Sequence, residues 1–464
     1  MRILLKCPTR SRPQKVLQTL QKYVSLASKR DLIGVALSCD EDDSSMTRKS
    51  IQSELSTLLS SFAWHRIFYS ANKTKIQACN ANMNEIDYPW DIVVLVSDDM
   101  IPQIQGWDDV IRVHMKAYFP DTNGILWFND GYQGDKLNTL CIYGRRLYEQ
   151  LGNLYEPSYK SLFCDTELTD RCKSGDLASR CRYVSHCIIR HEHPGTGYSQ
   201  NMDTLYAINQ KYWNEDMYTY ISRKTYPYDW SVLIPTIPGR EAGLNRLLDS
   251  IHEKVARICP TMKYEICIAF DNKEKSVGLK REQLQQDAKG KYSSFIDDDD
   301  EITDAYIEDL WATIQGGFST MRLRGRIDPY TFTHSLENTL QSPMAKNGVF
   351  LRPPNHLNPI MTDIAKLVHF KDASRGEDLD WTIRLSRSGF LTNEFRSDPS
   401  RIHYMYNMGT RVIDPGTLAF QEKTTYDTML SMVWTPNGPR VPDPVTSEPK
   451  IPILRLGTKG FVYK

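Results

Sequence analysis

The chain has 464 residues, too many for one ordinary hydrophobic core, so two or three domains are expected. Its 57 Lys and Arg balance 57 Asp and Glu, which argues against a dedicated nucleic-acid binder without excluding a local basic patch. No apolar run reaches about 18 residues, and no apolar core follows the N-terminal charges. We therefore expect no membrane span, no signal peptide and a cytoplasmic location. The ten cysteines lack a CxxC pair and are expected to be reduced, buried thiols.

The first half of the chain alternates apolar strand segments with segments of helical spacing. The predicted strands cover residues 1–6, 32–37, 64–69 and 91–97, and the predicted helices cover about 16–24, 46–59 and 74–82. This alternation is typical of an α/β fold with a largely parallel sheet, whose functional groups lie at the carboxyl ends of the strands.

The second half repeats this plan. Its predicted strands cover 230–236, 264–270 and 290–297, and its predicted helices cover 244–255 and 280–288. In both halves the order is strand with Pro-Thr, helix, strand with Asp, helix, and strand with an acidic cluster, which indicates an internal duplication. We predict two tandem α/β domains at 1–215 and 229–430, followed by an extended proline-rich tail at 431–464.

The acidic stretch Asp297 to Glu301 directly follows the apolar run Tyr292 to Ile296. Five like charges at one strand end are costly unless a cation neutralises them, and carboxylates suit Mg²⁺ or Mn²⁺. An exposed acidic loop is the ordinary alternative. The pair Asp98-Asp99 closes the first-half strand in the same way, so each half is expected to carry a metal site.

The sequence lacks the motifs of several common enzyme chemistries. Neither GxGxxG nor GxxxxGK[ST] occurs, and there is no GxSxG nucleophile motif. A bound phosphate would therefore be held through a metal and scattered basic groups.

Four short motifs follow one another between residues 230 and 408. They are the strand 232–236 ending in Pro235-Thr236, Asp271 behind the next strand, Asp297-Asp298-Asp299, and Gly376-Glu377-Asp378 followed by Trp381, Arg384, Leu385 and Gly389. This ordered set resembles glycosyltransferase family 2 and, more broadly, the GT-A fold of nucleotide-sugar glycosyltransferases. The resemblance implies that the two predicted α/β domains are two tandem GT-A domains.

The resemblance implies a role for each matched residue of the second half. It implies donor binding by Pro235, Thr236, Asp271, Asp297 and Asp298, metal binding by Asp297, Asp299 and His403, and a catalytic base at Asp378 beside Glu377. Lys280 and Arg281 are expected near the diphosphate. Ordinary roles stay open: a turn at Asp271, a helix cap at Asp378, a core histidine at His403 and solvated charges at Lys280 and Arg281.

The first half resembles the same family more loosely. The implied donor-binding positions are Pro8, Thr9, Asp40, Lys73 and Asp98, and the implied metal ligands are Asp99 with His191 or His193. The catalytic base is Asp165 or Glu167, a choice that the sequence leaves open. Asp165 precedes His191 by about the interval that separates Asp378 from His403, which supports the pairing.

Together these residues predict a Mn²⁺- or Mg²⁺-dependent enzyme that moves a sugar from a nucleotide-diphosphate sugar, a UDP-sugar first of all, to a hydroxyl of a glycan or another acceptor. A divalent ion would stabilise charge on the leaving diphosphate, and a single carboxylate base implies inversion.

Three alternatives stay open. One half could be a non-catalytic module that binds the acceptor. The acceptor could be a hydroxymethylated base of viral DNA, although the neutral net charge does not favour a nucleic-acid partner. Paired aspartates with metal also serve nucleotidyltransferases, which release pyrophosphate.

Overall fold

The computed structural model describes residues 1–72, 74–192, 204–338, 348–407, 453–457 and 460–462. The chain divides into two compact units, Met1–Lys224 (unit 1) and Thr225–Lys464 (unit 2). None of the helices in the described ranges is long and apolar enough to cross a membrane. All ten cysteines are free thiols, and only Cys181 and Cys187 among them are not fully buried.

Unit 1 alternates strands and helices along most of its length. Its strands are β1 (Ile3–Thr9), β2 (Ile33–Asp40), β3 (Trp64–Ser70), β4 (Ile92–Leu95), β5 (Met100–Pro102), β6 (Ile125–Phe128), β7 (Ile142–Gly144), β8 (Cys181–Val184) and β9 (Ile189–His191). Its helices are α1 (Pro13–Leu26), α2 (Lys49–Leu59), α3 (Lys75–Asn80), α4 (Trp107–Tyr118), α5 (Arg145–Leu151), α6 (Cys164–Lys173), α7 (Thr204–Gln210) and α8 (Trp213–Arg223).

The main sheet of unit 1 has the order β3-β2-β1-β4-β7-β6-β8. The strands β1 to β4 run parallel, and β7 is antiparallel to both of its neighbours. Because helices cover the sheet, β1 and β2 are buried on both faces and read as continuous apolar runs. A separate two-stranded sheet joins β5 to β9 and sets Met100 opposite His191.

Unit 2 contains more strands. They are β10 (Tyr228–Thr236), β11 (Tyr264–Phe270), β12 (Gly290–Phe295), β13 (Glu301–Ile302), β14 (Thr320–Met321), β15 (Leu323–Ile327), β16 (Tyr330–His334), β17 (Val349–Arg352), β18 (Ile360–Met361), β19 (Glu394–Phe395), β20 (Tyr404–Met405), β21 (Ile453–Gly457) and β22 (Gly460–Val462). Its helices are α9 (Glu241–Ile258), α10 (Val277–Asp287), α11 (Asp304–Gly316), α12 (Thr362–Ala365) and α13 (Glu377–Ser388).

The main sheet of unit 2 has the order β19-β14-β18-β12-β10-β11-β21-β22, and its centre is the parallel set β11-β10-β12. A second sheet has the order β13-β20-β15-β16-β17. The predicted α/β class is confirmed, because both units build mixed sheets with parallel central strands and flanking helices. The sequence did not reveal β21, which belongs to the predicted tail and pairs antiparallel with β11. Residues 431–452 lie outside the described ranges.

Candidate active site

The predicted acidic clusters occupy matching positions in the two sheets. In unit 1 the pairing of β1 with β4 sets Lys6 beside Leu95, and Asp99 lies four residues beyond Leu95. In unit 2 the pairing of β10 with β12 sets Leu233 beside Phe295, and Asp299 again lies four residues farther on. Asp99 and Asp299 therefore hold the same place at the carboxyl end of the sheet.

The second predicted carboxylates also match. Thr9 pairs with Cys39, directly before Asp40, and Thr236 pairs with Phe270, directly before Asp271. Asp40 binds Arg10, whose Nη1 lies 2.6 Å from Oδ2, and Asp271 binds Lys280, whose Nζ lies 2.5 Å from Oδ1. Each unit thus presents an aspartate with a cationic partner beside its opening Pro-Thr strand.

In unit 2 the buried carboxylate of Asp298 faces back into the fold. Its Oδ2 accepts a hydrogen bond from Thr236 at 2.5 Å, and its Oδ1 accepts one from Arg240 at 2.6 Å. The next carboxylate, Asp299, is half-exposed and lies 3.2 Å from the same guanidinium. Burial and the neighbouring aspartates raise the pKa of Asp299 against the opposing charge of Arg240, so this carboxylate is short of positive charge.

Arg281 joins the acidic cluster to the Glu377-Asp378 motif. Its buried guanidinium donates from Nη1 to Glu377 at 2.9 Å and from Nη2 to Asp297 at 3.3 Å. Burial would lower the pKa of Arg281, but the charges of Asp297, Asp378 and Glu377 raise it. Gly376 has a positive φ of 73°, a conformation that glycine adopts without strain, and α13 begins immediately after it. The structure therefore brings together residues that are 96 positions apart.

Asp271 and Lys280 form a buried ion pair rather than separate solvent-facing groups. The second oxygen of Asp271 accepts a hydrogen bond from the Lys275 backbone at 2.8 Å. Burial alone would raise the pKa of Asp271, but these hydrogen bonds and the ammonium charge lower it. The aspartate is consequently held ionised and in one orientation at the end of β11.

His403 does not join the acidic cluster. Its ring is buried, its Nδ1 accepts a hydrogen bond from the Arg324 backbone at 2.9 Å, and its Nε2 lies 2.7 Å from Asp309 Oδ2. This differs from the predicted metal-ligand role, because both ring nitrogens are already engaged. Strand pairing explains the difference: β13 pairs with Tyr404 and Met405, so residues after His403 lie against the acidic turn.

In unit 1 an arginine binds the first aspartate of the Asp98-Asp99 pair, as Arg240 binds Asp298 in unit 2. Arg12 Nη1 donates to Asp98 Oδ1 at 2.9 Å, and Lys15 Nζ lies 3.6 Å from the same oxygen. Burial raises the pKa of Asp98, against the opposing charge of Arg12. Neither Arg12 nor Arg240 was predicted from the sequence, although each follows its Pro-Thr pair by a few residues.

Asp99 and His191, both named as metal ligands by the resemblance, lie close to each other. His191 Nε2 is 3.7 Å from Asp99 Oδ1, and its Nδ1 is 3.9 Å from Asp130 Oδ2. The hydroxyl of Ser97 also donates to Asp99. Asp130 was missed, although it ends the apolar run that forms β6. A carboxylate behind a histidine ring is the usual way to orient a metal-binding imidazole.

The two carboxylates of α6 have different surroundings. Glu167 accepts hydrogen bonds from Tyr159 at 2.6 Å and Arg223 at 2.8 Å, and these bonds lower its pKa although burial would raise it. Near Asp165, burial would lower the pKa of Lys75, but the thiols of Cys164 and Cys79 and the charges of Asp165 and Asp99 raise it. Lys75 was also missed. The predicted donor residue Lys73 and the predicted ligand His193 lie outside the described residues.

The donor atoms at both strand ends fit a divalent ion shared with a substrate. Within the described ranges, no group of three or more His, Cys, Asp or Glu residues is arranged to hold a metal. Mg²⁺ and Mn²⁺ suit oxygen ligands, and Mg²⁺ commonly takes only one or two carboxylates and completes its shell with phosphates and water. Asp297 with Asp299, and Asp99 with His191, supply sets of that size.

No protein-family model and no curated protein matches the sequence. Among solved structures, a mannosyltransferase from Pyrobaculum calidifontis in complex with GDP-Man and Mn²⁺ is 14% identical with a TM-score of 0.37, over 48% of this chain and 63% of that one. S. aureus TarS in complex with UDP is 10% identical with a TM-score of 0.34, over 71% and 96%. A Drosophila galactosyltransferase 7 mutant with manganese, UDP-Gal and xylobiose is 11% identical with a TM-score of 0.28, over 45% and 79%. The chain thus spans less than two thirds of the mannosyltransferase.

Proposed function

We propose that the protein is a metal-dependent glycosyltransferase that moves a sugar from a nucleotide-diphosphate sugar to an acceptor hydroxyl. The observation that carries this proposal is the bridge made by Arg281 between the strand-end aspartate Asp297 and the Glu377-Asp378 pair. Donor-binding and base residues of this chemistry have to face one sugar from opposite sides. The resemblance of the ordered motifs to glycosyltransferase family 2 supports the same reading.

The donor diphosphate is held at the acidic turn of unit 2. Asp297 and Asp299 are the ligands for Mn²⁺ or Mg²⁺, and Asp298 holds the turn against Thr236 and Arg240. When bound, the ion supplies Lewis-acid stabilisation of the charge that develops on the leaving diphosphate. The ionised Asp271, fixed by Lys280, accepts a hydrogen bond from the nucleoside, with UDP as the first candidate.

Asp378 acts as the general base. Glu377 already binds Arg281, whereas among the described residues the carboxylate of Asp378 accepts no hydrogen bond. Asp378 takes the proton of the acceptor hydroxyl while that oxygen forms a bond to the anomeric carbon, and the bond from this carbon to the diphosphate oxygen breaks. Because one displacement occurs without a covalent enzyme intermediate, the anomeric configuration inverts.

We propose a second site of the same kind in unit 1. Asp99 and His191 serve the metal there, Asp40 stands at the donor, and Asp165 is the base, while Asp98 holds the turn through Arg12 as Asp298 does through Arg240. Glu167 is excluded from that role because Tyr159 and Arg223 engage its carboxylate. The alternative is that unit 1 only binds the acceptor, which we take to be a glycan.

The test is to identify the product. The full chain is incubated with Mn²⁺ and UDP-, GDP-, dTDP- or CDP-sugars, with glycan and hydroxymethylated-DNA acceptors, and the released nucleotide is analysed. We expect a nucleoside diphosphate from one donor class and transfer to a glycan. Release of pyrophosphate would identify a nucleotidyltransferase instead, and transfer to DNA would replace the glycan acceptor. The absence of both turnover and donor binding would overturn the proposal.

A further inference from the structure

The short strand β20 places Tyr406 beside the acidic turn of unit 2. Glu301 pairs antiparallel with Met405, so Tyr406 comes opposite Asp300. On its other side the Tyr406 backbone N–H donates to the Arg326 carbonyl at 2.9 Å. The backbone N–H of the next residue, Asn407, donates to Asp300 Oδ1 at 2.7 Å, so hydrogen bonds fix the backbone around Tyr406.

Strand alternation shows where that side chain points. Residues two apart on a strand project from the same face, so Tyr406 shares the face of Tyr404. The Tyr404 hydroxyl donates to Asp300 at 2.7 Å, which establishes that this face looks onto the acidic turn. Tyr404 is fully buried, whereas Tyr406 is 38% exposed. A large aromatic ring is thus left open to solvent at the edge of the acidic turn.

Tyr406 lies within electrostatic reach of the acidic turn and of a residue that also acts on Asp378. Burial and the charges of Asp297, Asp300 and Asp299 raise its pKa to about 12, so the phenol is protonated at neutral pH. Arg352 lies within electrostatic reach of both Tyr406 and Asp378. In the proposed reaction the donor sugar lies between the acidic turn and Asp378. Its anomeric carbon is bonded to the diphosphate at the acidic turn, and it is attacked by the hydroxyl that Asp378 activates.

We propose that Tyr406 contacts the donor sugar, with its ring packed against the C–H face of the pyranose and its hydroxyl bonded to a sugar hydroxyl. Aromatic side chains combine a large apolar surface and a negative ring face with, in tyrosine, a polar tip. A pyranose offers matching C–H and O–H groups. The inference rests on the proposed function of unit 2. Unit 1 has His191 at the corresponding strand position, so its site lacks this contact.

The test separates sugar binding from nucleotide binding. Titrations with UDP and with the best-bound UDP-sugar are made with Mn²⁺ by calorimetry, on the full chain carrying Asp99→Asn so that unit 2 gives the signal. We expect Tyr406→Ala to weaken UDP-sugar binding about tenfold and to change UDP binding less than twofold, since only the sugar is contacted. Tyr406→Phe should keep the ring contribution. Tyr118→Ala, at an exposed tyrosine that ends α4, is the matched control and should change neither affinity.

The outcomes distinguish a failure of the sugar contact from a failure of the proposed function. If UDP binds and Tyr406→Ala weakens the binding of UDP and of UDP-sugar equally, the sugar contact is refuted while the proposed function stands. The same holds if the substitution weakens the binding of neither ligand. If neither ligand binds the chain with intact Asp299, the proposed function fails, and the contact fails with it.

Discussion

Unit 1 and unit 2 place carboxylates at the same sheet positions but differ in the cation that lies beside the candidate base. In unit 2 the two N–H branches of Arg281 reach Asp297 and Glu377 at once. In unit 1 the position of Asp297 is taken by Ser97, and the cation near the candidate base is Lys75. A planar guanidinium can bridge two carboxylates, whereas an ammonium acts as a point charge. Unit 1 thus has one carboxylate fewer at its acidic turn and an ammonium in place of a guanidinium beside the candidate base.

The edges of the two main sheets also differ. The strand beside β2 in unit 1 is β3, which is parallel and close in sequence. The strand beside β11 in unit 2 is β21, which is antiparallel and comes from the end of the chain, where Arg455 binds Glu265 at 3.1 Å. The central strands that carry the candidate sites are therefore alike, and the elements at the rim are where the units diverge.

The largest expected effect separates the two candidate bases. Asp378→Asn should lower the rate of unit 2 by about 10² to 10⁴, the usual contribution of a general base. Nucleoside diphosphate release measures it, and Asp165→Asn, alone and combined with Asp378→Asn, reports whether unit 1 contributes turnover. Asp304→Asn, at an exposed aspartate paired with Arg257, is the control. Full activity in Asp378→Asn would move the base elsewhere.

A second prediction concerns the bridging arginine. Arg281→Met leaves buried Glu377 without its cation, and breaking a buried pair in this way costs about 3–5 kcal/mol of unfolding free energy. Arg281→Lys should recover part of that loss because it keeps the charge but not the fork. Urea unfolding measures both variants. An Arg281→Met chain as stable as the wild type would show that the bridge does not organise unit 2.

The third prediction uses two buried histidines of unit 2. Burial and the charge of Arg352 lower the pKa of His334 to about 3, and burial and the charge of Arg281 hold the pKa of His356 well below its usual value. Both bind protons on unfolding below pH 6.5, so stability is complete above that pH and falls as the pH drops toward 3. At pH 5 the loss is about 2 kcal/mol for His334, and His356 adds to it in the same direction.

Urea midpoints at pH 7.5 and pH 5 test this, and His334→Gln should reduce the difference between them. A unit 2 transition that is independent of pH over this range would contradict the neutral, buried state of these rings.

The smallest expected effect concerns Glu167. Its ion pair with Arg223 is partly exposed, so Glu167→Gln should cost about 0.5–1 kcal/mol and leave the turnover of unit 1 unchanged. Unfolding and nucleotide release on the same preparation measure the two quantities. Lost turnover with intact stability would make Glu167 the base in place of Asp165.

The sequence predicts the strand ends well because short apolar runs closed by aspartates mark them directly. It does not predict the contacts that turn these ends into sites. Arg281 and Glu377 are far apart in sequence, and nothing local indicates that α10 and α13 meet. The sequence left a ligand role and a core role open for His403, because β13 and β20 have only two residues each, too few for the sequence to show their pairing register. Asp130 could have been predicted as a site residue because it follows an apolar strand, whereas no local sequence pattern marks Lys75.

The central claim is that both units hold a metal-bridged diphosphate at matching strand ends. The most direct measurement is a thermal-shift series with UDP, GDP, dTDP and CDP, each with and without Mn²⁺, because a ligand that binds only the native state raises the melting temperature. We predict a shift with one nucleotide only when Mn²⁺ is present, reduced by Asp299→Ala and by Asp99→Ala separately and abolished by both together. No shift with any nucleotide, or a shift that survives both substitutions, would contradict the account.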